Sequence, residues 1–589
     1  MHLEKPPKYA DFVSLVSKLD ENDQLRPENQ VSFYFLRNIT IEGIAPFLKY
    51  YLYKSDLHCQ YSFGEFDNFH QELLDENGPF LQKRPDITVC CLYFENFVKE
   101  QEFLNWELDQ IYIRLESLFL LLKQKAPFSV AINTFLSPVY LPGGPTFDLS
   151  TESHFSKIRA LNEKIRSFVR NNKDRFFLVD WERLMGNVGL SNGLDLKMLH
   201  MAQAPFSHAF LEEYAIELTK IGRALKGKSK KCLVLDCDNT LWGGVIGEDG
   251  IEGIKLDPFD TPGKYYYRFQ QSVLRLANQG ILICLNSKNN PKDVLDVLKN
   301  HPHCLLKEHH IVGFKINWEN KVQNLVELAQ ELNLGIDSFV FVDDSDTECA
   351  LVRKALEQVT VIQTPKKLYL YQECLLKEGY FDKLTFSQED QKRTEMYKTD
   401  QKRGNAAKNF VNMEEFLSSL ELEVFIHPMT EQEIPRVAQL SQKTNQFNLT
   451  TKRYSDADIG HFYTDPKIEI YTLSVKDKFG PYGLTGMMVV RIIDKTRAIV
   501  DSCLLSCRIL GRRLELLFVG YVLEHLTQKY NISEWKAEFF KTKKNEQVEF
   551  FWEKFNFEWD QKIEGFKSYH LNSPDLAKIK LNYIKINED

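Results

Sequence analysis

Between residues 232 and 362, short apolar runs alternate with longer amphipathic segments. Four runs have the length of buried strands: CLVL (232–235), ILICL (281–285), FVFV (339–342) and VTVI (359–362). The segments KYYYRFQQSVLRLANQG (264–280) and KVQNLVELAQELNLG (321–335) have the periodicity of helices with one apolar face. Strands that alternate with helices of this length are typical of βαβ units. The pattern therefore predicts a parallel sheet covered by helices.

Similar alternation continues on both sides of this region. Toward the N-terminus it predicts strands at ITVCCLYF (87–94), FSVAINTF (128–135) and FFLVD (176–180). Toward the C-terminus it predicts strand VFIHP (424–428), helix EQEIPRVAQLSQKT (431–444) and strands near 468–475, 484–493 and 497–506. The polar, charged stretch after residue 384 marks a boundary. We predict an α/β chain of three domains, residues 1–228, 229–384 and 420–589, with a helical connector at 385–419.

Carboxylates follow two of the central strands. Asp236 and Asp238 come directly after the first strand, and Asp343 and Asp344 follow FVFV. Ligands of open parallel sheets bind at the carboxyl ends of the strands, and closely spaced carboxylates repel unless a cation lies between them. An alternative is that these aspartates only cap helices and form turns. Four such residues without a pairing cation nearby in the sequence favour a Mg²⁺ site.

The order DxDxT…S…K…DD resembles the haloacid dehalogenase (HAD) superfamily. By that resemblance Asp236 is the nucleophile that attacks a phosphoryl group, and Asp238 is the general acid and base. By the same resemblance, Lys321 offsets charge on the nucleophile and on the phosphoryl group. The resemblance also implies substrate binding by Thr240 and Ser287. It implies that Mg²⁺ is held by Asp236, the backbone carbonyl of Asp238 and Asp344, with Asp343 as the alternative ligand.

Three further side chains close to this motif are candidates for the site. Lys288 follows Ser287, and we interpret it as a clamp for a second anionic group of the substrate, although an isolated lysine is more often solvated. Cys237 lies between the two aspartates, but its side chain is expected to pack into the sheet rather than to carry an acyl group. Trp242 is interpreted either as part of the substrate mouth or as a lid over a flexible turn.

A closer resemblance is to the FkbH-like family. It rests on KCLVLDCDNTLWGGVIGEDGIEGIKL (231–256), SKNN (287–290), FKINWENK (314–321), QKRTEMY (391–397) and KTNQFNLTTKRY (443–454). Members dephosphorylate 1,3-bisphosphoglycerate and load the glyceryl unit onto an acyl carrier protein for polyketide-type biosynthesis. The resemblance thus implies a small phosphorylated metabolite and a carrier protein as partners. The alternatives are a plain HAD phosphatase, a scaffold that binds carrier proteins, and an N-acyltransferase.

The flanking domains resemble two other folds. Residues 1–228 are similar to an SGNH-hydrolase-like module, but FYFLRNIT (33–40) has no GDS and HMAQAPFSH (200–208) has no DxxH, so we expect no hydrolysis there. The C-terminal domain resembles the GNAT acyltransferase fold, with CRILGRR (507–513) in place of its phosphate-binding loop. Arg513 stands where that loop has a small residue.

Composition and charge narrow the range of cellular compartments and of binding partners that we expect. The 589 residues carry 74 Lys and Arg against 82 Asp and Glu, a net charge of −8, which disfavours a dedicated nucleic-acid binder. The 11 cysteines show no CxxC pair, which favours reduced thiols. No apolar stretch approaches the ~20 residues needed to span a membrane. We therefore predict a cytoplasmic enzyme.

Overall fold

The computed structural model divides into two compact units, Met1–Lys228 and Ser229–Asp589. It describes residues 9–22, 29–98, 105–127, 129–137, 150–384, 393–407, 410, 412–444, 446–542, 544–563, 565–572 and 583–587. Part of the predicted connector (385–392, 408–409 and 411) and residue 128 of a predicted strand lie outside these ranges. Within them, no helix has the length and apolar character to cross a membrane.

The first unit contains a five-stranded parallel sheet in the order β2-β1-β3-β4-β5. Its strands are β1 (Gln30–Arg37), β2 (His58–Phe66), β3 (Ile87–Cys91), β4 (Ser129–Asn133) and β5 (Phe176–Val179). Its helices are Tyr9–Asn22, Ala45–Tyr53, Phe69–Leu74, Pro79–Lys83, Phe94–Phe97, Leu108–Lys125, His154–Asn171, Trp181–Val188, Leu190–Gly193, Leu196–Ala202 and His208–Leu225.

Both faces of this sheet are buried. Phe33 and Phe35 of β1 belong to one apolar cluster, whereas Tyr34 and Leu36 belong to the cluster on the opposite face. Successive side chains of a strand point to opposite faces, so a strand that is covered by helices on both sides is apolar throughout. The run FYFL (33–36) satisfies this requirement.

The second unit begins with another parallel sheet, in the order β10-β9-β6-β7-β8. Its strands are β6 (Cys232–Leu235), β7 (Leu282–Ser287), β8 (Ile311–Ile316), β9 (Phe339–Asp343) and β10 (Thr360–Gln363). Its helices are Ile246–Gly253, Gly263–Asn278, Pro291–Asn300, Lys321–Glu331, Asp346–Ala355 and Tyr371–Leu376. The predicted α/β class and the parallel central sheet are confirmed.

The rest of the second unit is built on a nine-stranded mixed sheet. Its strands are β11 (Leu422–Pro428), β12 (Phe447–Asn448), β13 (Ile468–Asp477), β14 (Gly480–Ile492), β15 (Arg497–Leu505), β16 (Glu534–Phe540), β17 (Glu558–Ile563), β18 (Phe566–Asn572) and β19 (Ile584–Asn587). Its helices, including those of the predicted connector, are Arg393–Ala407, Met413–Ser419, Ile434–Lys443, Asp456–Thr464 and Leu514–Tyr530.

One pair of strands in this sheet separates. β15 and β16 pair in parallel from Arg497 to Val500, and β12 then pairs with the far end of β15. Leu449 donates its backbone N–H to the carbonyl of Cys503 and accepts from the N–H of Phe540. The segment around Leu449 therefore satisfies backbone groups that the separation would otherwise leave unpaired.

Candidate active site

The carboxyl ends of β6 and β9 bring Asp236 and Asp343 together. The two strands pair with Leu235 opposite Val342, and the N–H of Asp236 donates to the carbonyl of Val342 at 3.0 Å. Asp343 is the last residue of β9. Both aspartates therefore lie at one edge of the sheet, where ligands of open α/β sheets bind.

Lys321 lies between these two carboxylates. Its Nζ is 2.8 Å from Oδ1 of Asp236 and 2.6 Å from Oδ2 of Asp343, and the residue is 4% exposed. Burial alone would lower the pKa of this lysine, but the charges of Asp236 and Asp343 outweigh burial and raise it. Lys321 is therefore held as a cation at neutral pH.

A network of asparagines fixes the start of the helix that carries Lys321. Asn320 caps this helix by accepting from the N–H of Val322. Asn286 donates to the carbonyl of Lys321 at 3.0 Å and accepts from Asn324 at 2.9 Å. Asn286 and Asn324 are buried, and buried polar groups that are fully bonded specify one arrangement.

Asp343 and Asp344 have different surroundings. Oδ2 of Asp343 accepts from Lys321, and its Oδ1 accepts from the N–H of Ser345 at 2.9 Å. Asp344 is only partly buried. Burial, followed by the charge of Asp236, raises the pKa of both carboxyls, that of Asp344 to about 6. Asp343 is thus fully buried and already engaged, whereas Asp344 is the less buried of the two.

Three carboxylates can reach one point. Asp236, Asp343 and Asp344 each offer an oxygen, and these oxygens lie within 4.8 Å of one another. An all-oxygen set suits a hard divalent cation such as Mg²⁺, which prefers one or two carboxylates and several waters. Burial of the two carboxyls and the nearby charge of Asp236 raise the pKa values of Asp343 and Asp344, as expected where carboxylates cluster in a partly buried place. The residues present therefore fit a divalent cation.

Asp238 accepts hydrogen bonds on both carboxylate oxygens. Oδ1 accepts from Nε1 of Trp242 at 2.9 Å and from the N–H of Ile246 at 3.1 Å. Oδ2 accepts from Nδ2 of Asn289 at 3.0 Å. Burial raises the pKa of Asp238, although these hydrogen bonds oppose the shift. A raised pKa favours the protonated form of this carboxyl, which a general acid requires.

The three predicted substrate-binding residues have different placements. Ser287 ends β7 and its Oγ accepts from Nδ2 of Asn289 at 2.9 Å, so it lies beside Asp238. Thr240 is completely buried, and its hydroxyl has no partner among the described residues. Lys288 is paired with Glu348 at 2.6 Å on the rim of the site. Their contacts with a substrate stay predictions.

Two expectations about neighbouring side chains have clear outcomes. Cys237 is fully buried within an apolar cluster, and burial raises its thiol pKa, as its structural interpretation required. Trp242 is also fully buried, so the interpretation that it forms the substrate mouth or a lid is wrong. Its indole belongs to the apolar cluster of the central domain, and its N–H donates to Asp238.

Sequence reasoning missed the asparagines of the site. Asn289 contacts both Asp238 and Ser287, while Asn286 and Asn324 support Lys321. The motif SKNN contained a signal for Asn289. This residue stands two positions after Ser287, where an extended chain directs both side chains to the same side. Asparagine is so common at helix starts that its type alone did not distinguish these roles.

The C-terminal domain contacts the central domain near the amino ends of the central strands. Asn333 donates to the carbonyl of Cys507 at 3.0 Å, and Lys544 pairs with Asp337. Asn333 and Asp337 precede β9, whose carboxyl end carries Asp343. The CRILGRR loop, which begins at Cys507, is therefore separated from the acidic cluster by the length of the strands.

The strand end that an SGNH-like nucleophile would occupy carries an asparagine. Asn38 follows β1 and is fully buried. Its side chain exchanges two hydrogen bonds with the backbone of Tyr93, at 3.1 and 2.7 Å. A side-chain amide in this arrangement joins two strand ends and offers no nucleophile. The expectation that this domain performs no hydrolysis stays a prediction.

Comparison with solved structures supports the fold of this region. The N-terminal part of the protein BF1531 from Bacteroides fragilis, described as containing a phosphatase domain and complexed with Mg, is 24% identical with a TM-score of 0.58. The match covers 65% of this chain and 100% of that one. It shows a shared fold. No protein-family model matches the sequence, and comparison with curated proteins gives no match.

Acetyltransferases also appear among the similar structures. The ribosomal-protein-S18-alanine N-acetyltransferase from Escherichia coli is 8% identical, with a TM-score of 0.21 over 27% of this chain and 99% of that one. The N-acetyltransferase PseH from Campylobacter jejuni is 12% identical, with a TM-score of 0.19 over 25% of this chain and 97% of that one. Scores this low carry no argument, so the GNAT resemblance stays a prediction.

Proposed function

We propose that this protein is a Mg²⁺-dependent phosphatase of the HAD type that works through an aspartyl phosphate on Asp236. The observation that carries the proposal is the buried contact of Lys321 with both Asp236 and Asp343, beside Asp238 and Asp344. A purely structural cluster would gain nothing from three carboxylates around one lysine, because the surplus negative charge is destabilising when buried.

In the first step, a carboxylate oxygen of Asp236 attacks phosphorus and the bond from phosphorus to the leaving oxygen breaks. Asp238, in its protonated form, donates its proton to that oxygen. Lys321 holds the Asp236 carboxylate in place through Oδ1 and offsets negative charge that gathers on the phosphoryl oxygens. The products of this step are an alcohol or acid and phosphorylated Asp236.

In the second step, Asp238 is a carboxylate and takes a proton from water. The resulting hydroxide attacks phosphorus, the bond between phosphorus and Asp236 breaks, and inorganic phosphate leaves. Ser287, which Asn289 links to Asp238, would contact a phosphoryl oxygen during both steps. Asp236 and protonated Asp238 are then restored for another turnover.

The proposed Mg²⁺ would be held by Asp236, Asp344 and the backbone carbonyl of Asp238. Asp344 is preferred to Asp343 because both oxygens of Asp343 already accept hydrogen bonds. When bound, the ion supplies electrostatic stabilisation of the phosphoryl oxygens. The similar BF1531 structure is described as complexed with Mg, which supports Mg²⁺ as the ion.

The more specific proposal concerns the substrate. The FkbH-like motifs favour dephosphorylation of 1,3-bisphosphoglycerate and transfer of its glyceryl unit to an acyl carrier protein. This proposal rests on sequence resemblance alone. The separation of the CRILGRR loop from the acidic cluster bears on it, since a carrier docked on the C-terminal domain must deliver its arm past the central sheet.

Two assays test these proposals in order. Phosphate release from simple phosphate monoesters is measured with Mg²⁺, with EDTA, and with the Asp236→Asn variant. The full reaction is then followed by intact-mass spectrometry with 1,3-bisphosphoglycerate generated in situ and a phosphopantetheinylated carrier protein. We expect Mg²⁺-dependent phosphate release that Asp236→Asn abolishes, and a glyceryl mass on the carrier.

The outcomes separate the alternatives. Phosphate release with an unmodified carrier supports a plain phosphatase. Binding of the carrier without phosphate release from any substrate supports a scaffold and contradicts the catalytic proposal. An acyl adduct that persists in Asp236→Asn would place transfer outside the central domain.

A further inference from the structure

The hydrogen bonds that Asp238 accepts restrict the position at which its carboxyl group can carry a proton. An ionised carboxylate offers about four lone-pair positions. Trp242 and the N–H of Ile246 occupy Oδ1, and Asn289 occupies one position of Oδ2. Among the described residues, these donors leave a single position open, on Oδ2.

The two side-chain donors are rigidly placed. Trp242 is fully buried and Asn289 is 4% exposed, so neither can be replaced easily by water. Nδ2 of Asn289 also donates to Oγ of Ser287 at 2.9 Å. One amide group therefore fixes the distance between Asp238 and the residue that ends β7. The turn that carries Asp238 is itself tied down, because Asn239 accepts from the N–H of Gly244 at 3.0 Å.

We propose that Trp242 and Asn289 are positioning residues that orient Asp238 so that its proton sits on the one open position of Oδ2, facing the leaving oxygen of the substrate. Neither residue touches the substrate. This inference rests on the proposed phosphatase function and adds to it the means by which the general acid is aimed. The same amide of Asn289 also fixes the position of the Ser287 hydroxyl relative to that proton.

The test uses two substrates of nearly the same size. Phenyl phosphate has a poor leaving group that needs a proton, whereas 4-nitrophenyl phosphate has a good one that needs little help. The quantity compared is kcat/KM, which covers only the steps up to formation of the phosphorylated aspartate. It is measured for the full chain with Mg²⁺ and for the variants Asn289→Ala and Trp242→Phe.

We expect Asn289→Ala to lose about 30-fold or more in kcat/KM with phenyl phosphate and less than about threefold with 4-nitrophenyl phosphate, since general acid catalysis contributes ~10²–10⁴-fold. Trp242→Phe should show the same selectivity with a smaller loss, because the N–H of Ile246 still holds Oδ1. Asn290→Ala is the matched control. Asn290 is exposed, and its amide contacts only Asp293 among the described side chains.

Equal losses with both substrates, or no loss, would overturn the inference and leave the phosphatase proposal intact. Equal losses would mean that Asn289 acts through Ser287 or through folding, because those roles do not depend on the leaving group. If Asn289→Ala fails to fold, Trp242→Phe decides the same question. A wild-type protein that releases no phosphate from either ester refutes the phosphatase proposal and this inference together.

Discussion

Nζ of Lys321 lies 2.8 Å from Oδ1 of Asp236, although 85 residues separate the two along the chain. Lys321 is the first residue of its helix. A cation is unfavourable at this end, since the helix dipole is positive there. The carboxylates of Asp236 and Asp343 compensate for both the dipole and the burial of the lysine. The ion pairs that offset the buried charge of Lys321 thus also hold Asp236, the proposed nucleophile, in place.

Replacing Lys321 by Met should destabilise the protein by about 3–5 kcal/mol at pH 7.5 without Mg²⁺, because it leaves two buried carboxylates unpaired. The loss should be smaller at pH 5. The folded-state pKa of Asp343 is already raised above its unfolded value, and removing Lys321 raises it further, so stability increases as pH falls through that folded pKa. Urea denaturation at both pH values measures this.

Lys315→Met is the control for that variant. Lys315 pairs with Glu327 and Glu331 near the surface, and such pairs contribute up to ~1 kcal/mol. A loss in Lys321→Met that does not change between pH 5 and pH 7.5 would contradict the charge argument and assign the effect to packing.

Asp236→Asn should abolish phosphate release, by at least about 10³-fold, because an amide cannot form the phosphorylated intermediate. Its melting temperature should stay close to that of the wild type. Lys321 keeps Asp343 as a partner, and one buried negative charge is removed. Activity assays and thermal denaturation are run on the same preparation. Collapse of the fold in this variant would instead make Asp236 structural.

Most strands of the central sheet could be recognised from the sequence alone. Runs such as CLVL and FVFV are buried on both faces and contain no polar residue, so length and composition identify them. β8 (Ile311–Ile316) was not predicted, because Gly313 and Lys315 interrupt its apolar run. β2 (His58–Phe66) is an edge strand, and its sequence HCQYSFGEF lacks the continuous apolar run by which the buried strands were recognised.

The candidate site was predictable where parallel strands end, and not beyond. Strand ends converge by topology, so Asp236, Ser287 and Asp343 could be grouped from the sequence. The choice between Asp343 and Asp344 could not be made, because it depends on which carboxylate Lys321 and the Ser345 N–H engage. The role of Trp242 likewise depends on the direction of one indole N–H, which no spacing rule provides.

Cys237→Ala should retain phosphate release within about threefold and cost roughly 1 kcal/mol of stability, since it removes one small buried side chain. Cys237 is completely buried and burial raises the pKa of its thiol, so it is neither accessible nor ionised. Phosphate release and alkylation by iodoacetamide, followed by intact mass, test this together. Loss of glyceryl loading with retained phosphate release would show that the thiol carries the acyl group after all.

Binding of Mg²⁺ should weaken as the pH falls below about 6. Burial and the charge of Asp236 raise the pKa of Asp344 to about 6, so below that pH the ion must displace a proton from this carboxyl. Displacement of one proton predicts roughly tenfold weaker apparent affinity for each further pH unit, and nearly constant affinity above pH 7. Calorimetric titration of the metal-free protein at pH 5, 6 and 7.5 measures both regimes.

The variant Asp344→Asn distinguishes this carboxylate from its neighbour. It should bind Mg²⁺ at least about tenfold more weakly at pH 7.5, because a charged ligand is lost. Glu348→Gln is the matched control, since Glu348 is paired with Lys288 at the rim. If Asp344→Asn binds the metal as the wild type does, then Asp343 is the ligand. In that case Lys321 must release Oδ2 of Asp343 when the metal binds, and the two cations would compete for one carboxylate.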